Sequence, residues 1–131
     1  MAAPNIASLT TITGKTTYFT PSGTTAVVLL QNAASSNTVL KINQIVVANV
    51  DGTNAVDCTV SIYTNGGVAQ GSAPSGGTAF PIASTISVPA DASLIVTDKT
   101  TGIYLEEGTS ISITSGTASK LTFSVSYELM S

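Results

Sequence analysis

From Val56 to Tyr63 apolar and polar side chains alternate without a break, with Val56, Cys58, Val60 and Ile62 in one phase and Asp57, Thr59, Ser61 and Tyr63 in the other. Successive side chains of a strand point to opposite faces, so a period of two marks a strand with one face in a core. A helix would repeat its apolar positions every three or four residues instead. The pattern returns at the far end of the chain, where Leu121, Phe123, Val125 and Tyr127 alternate with Thr122, Ser124, Ser126 and Glu128. A one-residue slip in either segment would turn its apolar row to solvent. All eight apolar-phase residues are therefore expected to face one interior.

Shorter versions of the pattern occur at Ile82, Ser84, Ile86, Val88 and at Ile111, Ile113, while Ala26 to Leu30, Leu40 to Asn49 and Leu94 to Thr97 read as more continuously buried strands. Serine and threonine supply 38 residues and valine and isoleucine 23, and hydroxylic and β-branched side chains of this kind favour strands over helices. Turn chemistry divides the runs. Asp51-Gly52 is a two-residue hairpin signal, Pro89-Ala90-Asp91 and Thr101-Gly102 read as turns, and Glu107-Gly108 suits a turn closing on glycine at positive φ. About eight short strands punctuated in this way predict an all-β, single-domain β-sandwich or jelly roll.

A chain of 131 residues is long enough for one core. Residues 21–131 are expected to form the sandwich. Residues 1–20, rich in threonine and without alternation until Thr16 to Phe19, are expected to be an N-terminal arm or an edge strand. Residues 65–78, reading NGGVAQGSAPSGGT, hold five of the eleven glycines and almost no bulky side chain. They predict a long exposed loop of the kind that binds something or stays disordered.

Composition narrows the chemistry. The chain has no histidine, which removes Ser-His and Cys-His nucleophilic pairs, and its single cysteine leaves zinc sites without ligands. Glu106-Glu107 is the obvious carboxylate pair, yet neighbours on a strand face opposite ways, and with Gly108 they read as a solvated turn. Asn49, Asp51, Asp57, Asp91 and Asp98 are oxygen donors, but their spacing lacks the closing glutamate of a calcium loop and fits backbone-capping turns. Gly14-Lys15-Thr16 lacks the earlier glycine of a phosphate-binding loop. Cys58 lies in the apolar phase of the best strand and reads as core. Tyr18, Tyr63, Tyr104 and Tyr127 would make a thin sugar-binding platform without tryptophan and read better as core caps with surface hydroxyls. No catalytic, cofactor-binding or metal-binding residue is assigned, and the chain is expected not to be an enzyme.

Four lysines against seven carboxylates give a net charge of −3, which repels phosphate backbones, so nucleic acid is not an expected partner. The longest apolar runs, such as Ala26 to Leu30 and Ile45 to Ala48, are too short to span a bilayer. Met1 to Asn5 lacks the basic start and apolar stretch of a secretory signal, which predicts synthesis in a cytoplasm. Charged residues make up 8% of the chain, and a surface so poor in charge is expected to be covered in the working state.

Four segments carry a resemblance: IVVANVDGTNAVDCTVSIY (Ile45 to Tyr63), ISVPADASLIVTDK (Ile86 to Lys99), IYLEEGTSISI (Ile103 to Ile113) and VSYELM (Val125 to Met130). In this order they resemble small β-sandwich virion structural proteins of tailed bacteriophages that serve as head decoration, neck or tail accessories. The glycine-rich segment around Gly66 to Gly77 and the long N-terminal portion depart from that pattern. The resemblance implies a virion protein of the head, neck or tail; taken with the low charge and the absent catalytic groups, it makes a homo-oligomeric capsid decoration or cement protein bound to the major capsid protein the leading expectation. A neck, tail or fibre accessory, or a carbohydrate-binding module on a fibre, is the alternative. It implies no catalytic residues.

Overall fold

A computed structural model describes residues 5–131. These residues form nine strands: β1 (Ile12–Phe19), β2 (Val27–Asn32), β3 (Val39–Asn49), β4 (Val56–Tyr63), β5 (Ala79–Val88), β6 (Ser93–Thr97), β7 (Ile103–Leu105), β8 (Thr109–Ser115) and β9 (Leu121–Met130). Short 3-10 turns lie at Ile6–Ser8 and Lys99–Thr101. The strands make two antiparallel sheets, one ordered β1-β9-β3-β6 with β7 also on β3, the other ordered β2-β8-β4-β5. The all-β sandwich expected from alternation is the fold observed. β1, from the N-terminal region, is an edge strand hydrogen-bonded to β9.

The two inner faces share one core in which Leu29, Ile42, Ile45, Val47, Val60, Leu105, Ile113 and Phe123 are fully enclosed. Val56, Cys58, Val60, Leu121, Phe123 and Val125 are buried as expected, and Tyr127 is half-buried against the cluster. Ile62 is the exception. It pairs with Ile111 and so faces the core side, but it stays half-exposed and outside the cluster, because its other neighbour across the sheet is the exposed Phe80. The opposite sheet does not reach that corner.

Bulges account for the strands that read less cleanly. In β5 the register shifts twice against β4, so that Ile86 opposes Cys58, Ala83 opposes Val60 and Pro81 opposes Ser61. Two extra residues on β5 thus break the expected Ile82, Ser84, Ile86, Val88 phase, and Thr85 takes a positive φ of 48° there. In β2 a shift at Leu29 leaves Leu29 and Leu30 both buried. Asp51-Gly52 does not close a hairpin: β3 and β4 lie in different sheets, and residues 50–55 carry the chain from one to the other. There Asp51 accepts from the backbone N–H groups of Thr53 and Asn54, at 2.8 and 3.2 Å. Pro89 to Asp91 turns as expected, with Ala92 N–H donating to Pro89 C=O at 3.1 Å. Gly108 has the anticipated positive φ of 77°.

Residues 65–78 form the long, mostly exposed loop expected from the sequence, but it lies as a strap bonded to the four-stranded sheet. Ser110 Oγ donates to Asn65 C=O at 2.8 Å, Gly77 N–H donates to the Tyr63 hydroxyl at 3.0 Å, and Thr78 N–H donates to Thr64 Oγ1 at 2.7 Å. At the far edge Val28 N–H donates to Ser72 C=O at 2.9 Å and receives Gly71 N–H on its own carbonyl at 2.8 Å. Gln70 Nε2 reaches Leu29 C=O at 2.8 Å and Thr17 Oγ1 at 3.0 Å, tying β2 to β1. Val28, Ser61, Ser112, Ser110 and Tyr63, which alternate with core-facing residues, are buried on what would otherwise be an outer face.

Two asparagines join the sheets at opposite ends. At one end the buried Asn32 of β2 donates to Leu105 C=O of β7 and to Thr38 C=O, both at 3.0 Å, and accepts from the hydroxyls of Ser36 and Thr38. At the other, Asn49 of β3 reaches the end of β5 through Val88 C=O at 2.9 Å.

Candidate interaction surface

Since the strap covers the β2 and β8 side of the other outer face, the outer face of the five-stranded sheet is the broad surface left open among the described residues. Its composition follows from strand register. Tyr18, Ser124, Val46 and Ile95 lie in one row across β1, β9, β3 and β6, and Gly14, Glu128, Lys41 and Tyr104 lie in another ending on β7. Thr16 bonds Ser126 through their hydroxyls at 3.1 Å, and Thr20 bonds Thr122 at 2.9 Å. Such hydroxyl pairs tie adjacent strands while leaving a flat, uncharged surface. Tyr18 is 70% exposed and Ile95 59%. Lys41 and Glu128 sit directly opposite one another near the end of the β3–β9 ladder, so that row carries no net charge.

The alternating face of β3 and β6 was hidden in the sequence by their continuous apolar runs. Leu40 to Asn49 and Leu94 to Thr97 read as buried on both sides, but Val46 is half-exposed and Ile95 points to solvent. Apolar residues in both phases of these strands are the signal for a second, unburied face. A bulge between Ile42 and Gln44 opens a shallow cleft of about 460 Å³ here, lined by Asn43, Gln44, Asp98, Lys99, Thr100 and Ser126. Asp98 is committed to capping, accepting from Thr100 N–H at 2.9 Å and from Thr100 Oγ1 at 2.5 Å. The cleft thus offers amides, hydroxyls and the Lys99 ammonium group.

The other residues weighed from the sequence scatter. Glu106 is exposed, whereas Glu107 is turned inward with both carboxylate oxygens buried and without a hydrogen-bond partner, which corrects its reading as a solvated pair. Asp51 and Asp91 are near neighbours, with Asp91 N–H donating to Asp51 C=O at 3.1 Å, but Asn49 is a buried sheet tie. Among the described residues no three His, Cys, Asp or Glu side chains cluster as metal ligands. Tyr63 lies under the strap and Tyr127 faces the core. Tyr18 and Tyr104 share the open face but stand three strand spacings apart and four residues apart along the strands, roughly 20 Å, too far for one sugar ring to stack on both. No helix of the described residues is long and apolar enough to cross a membrane.

The shifted titrations lie outside the neutral range. Backbone hydrogen bonds from Thr53 and Asn54 lower the Asp51 pKa, and the Thr100 hydroxyl and amide lower that of Asp98, both from an ordinary value of 3.8. Burial raises Cys58 above 9.0, assisted by the charge of Asp57, and raises Tyr127 above 10.0. Lowered carboxylate values stabilise the fold above the unfolded value and lose that contribution as pH falls through the folded one. Raised thiol and phenol values contribute fully below the unfolded value and lose it as pH rises through the folded one. The denaturation midpoint should therefore be flat from about pH 5 to about pH 8 and fall on either side. A stability step near pH 6.5 in urea titrations would contradict this.

No family model matches the chain, and no curated protein matches its sequence. Among solved structures it is similar to a chain of the T13 viral particle of IBDV, an icosahedral virus, with a TM-score of 0.45 and 8% identity over 94% of this chain. It spans 32% of that chain.

Proposed function

We propose that this chain is a non-enzymatic virion structural protein that works as a capsid decoration or cement protein, binding the major capsid protein and stabilising the head. The observation that carries the reading is the open outer face of the five-stranded sheet. It is flat and hydroxyl-rich, with Tyr18, Ile95 and Tyr104 exposed and Lys41 set opposite Glu128. Large apolar groups in a surface this poor in charge favour burial against another protein surface. The phage-protein resemblance of the four sequence segments supports the same reading. The mechanism is linkage: a protein that binds the intact lattice but not its separated subunits stabilises the lattice by its binding free energy, summed over many copies.

Expanded heads lacking the protein should bind the purified chain saturably and open at a higher temperature once coated. Tyr18→Glu and Ile95→Lys should each weaken binding about tenfold or more without changing the fold. With so few charges on the face, the affinity should fall only modestly between low and physiological salt. Heads that bind nothing would sink the proposal. Labelling confined to the neck or tail would replace it with the accessory role.

A further inference from the structure

A sandwich has strand edges to protect, and three of the four here are blunted. β2 is bonded along its free side to Gly71 and Ser72 of the strap. β1 carries Lys15 opposite Tyr127, on its core-facing side, and holds Gln70 of the strap against Thr17. The remaining edge of the five-stranded sheet is split into short β6 and β7 by a 3-10 turn bearing Lys99. Inward charges, short strands and covering segments are the usual guards against edge association.

β5 differs. It is ten residues long, its outer side is unpaired among the described residues, and residues 58–90 contain no Asp, Glu, Lys or Arg. Phe80 is 57% exposed, Ile82 38% and Ile86 41%. Phe80 and Ile86 oppose Ile62 and Cys58, so they lie on the core-facing side of the sheet. They project past the cover of the opposite sheet and leave an apolar flank along one side of the sandwich.

We infer that β5 is the contact by which two copies of this chain form a twofold dimer. Three observations favour a second copy as the occupant. The flank carries no charge, so it offers nothing for a partner of opposite sign to recognise, and it meets its own image without repulsion. A twofold axis beside β5 places the two strands antiparallel, with the Phe80 end of each copy against the Ile86 end of the other, the reciprocal pairing an isologous interface requires. A ten-residue strand is about 33 Å long, and a strip about 15 Å wide along it gives about 500 Å² per copy, near the roughly 1,000 Å² total of a small specific interface. Pro81 withholds a donor and the two bulges bend the strand, so side-chain packing dominates the contact and a continuous backbone ladder does not form.

The test needs no virion, so its outcome is separate from that of head binding. Sedimentation of the full chain from about 1 µM to about 1 mM should show reversible monomer–dimer exchange. Phe80→Glu should weaken it about tenfold or more. Ile82→Lys should do the same and serves as the readout if the first variant loses cooperative unfolding. Ile6→Glu, an exposed site in the 3-10 turn before β1, should leave it unchanged. A monomer across the whole range, a trimer or larger ring, association indifferent to both β5 variants, or equal loss with Ile6→Glu would each overturn the inference.

Discussion

Gly66→Ala should be among the most damaging single-atom additions this protein can receive, costing about 3 to 5 kcal/mol of folding stability. A Cβ at Gly66 would lie 2.1 Å from the carbonyl oxygen of Asn32 and 2.8 Å from that of Thr109. Both are backbone atoms at the paired ends of β2 and β8, so neither can rotate away. Either those strand ends shift, which disturbs the Asn32 tie to β7, or the strap lifts. Lifting would uncover Tyr63 and Ser110 and break the bond from Ser110 Oγ to Asn65 C=O. Gly14→Ala is the control, because nothing lies within 4 Å of the added carbon, and there the change should be small or slightly favourable. Urea unfolding of the two variants beside the parent decides it. A Gly66→Ala protein within about 1 kcal/mol of the parent would mean that the strap does not lie on the sheet.

That strap also shows where the sequence stopped being legible. Period-two alternation located β4 and β9 and the inner rows they share, because burying one face of a strand leaves a direct trace in residue type. Glycine richness leaves an ambiguous one. The same NGGVAQGSAPSGGT composition suits a free loop, where glycine adds flexibility, and a tightly applied strap, where glycine is needed because a side chain would collide. Gly66 and Gly77 are of the second kind, the latter with Thr64 Oγ1 only 2.8 Å from its would-be Cβ. Tyr63 was misread for the same reason: alternation placed it correctly on the outer face, and nothing in a periodicity says that a distant segment will cover that face. The bulges in β5 escaped because each adds one residue and reverses the phase, so Ile82 and Ile86 look like one row in the sequence and are not. The open face was half-legible. Apolar residues in both phases of β3 and β6 marked two apolar faces correctly, but deciding which faces are buried required the strand order.

Asn49→Leu should cost about 3 kcal/mol, and Asn49→Asp more, although no sequence pattern marks this residue as anything but a turn-former. Asn49 is 3% exposed. Its amide donates to Asn54 C=O at 3.0 Å, Val88 C=O at 2.9 Å and Pro89 C=O at 3.2 Å, while its side-chain oxygen accepts from Asp51 N–H at 2.9 Å. One side chain thus joins the end of β3 to the end of β5 in the other sheet and shapes the crossing at residues 50–55. Leucine has similar bulk, so it leaves little cavity, and its cost isolates the polar groups left unpaired in the interior. Aspartate keeps the acceptor for Asp51 N–H but turns a carboxylate oxygen toward three carbonyls, adding repulsion to the lost donors. Asn32 does the equivalent work at the other end, sharing no partner with Asn49, so Asn32→Leu and Asn49→Leu should add within about 0.5 kcal/mol in the double variant. Denaturant unfolding of the four proteins measures both points. An Asn49→Asp protein as stable as Asn49→Leu would show that the amide protons are not what binds the two sheets there, and strong non-additivity would show that the two ends of the sandwich do not act independently.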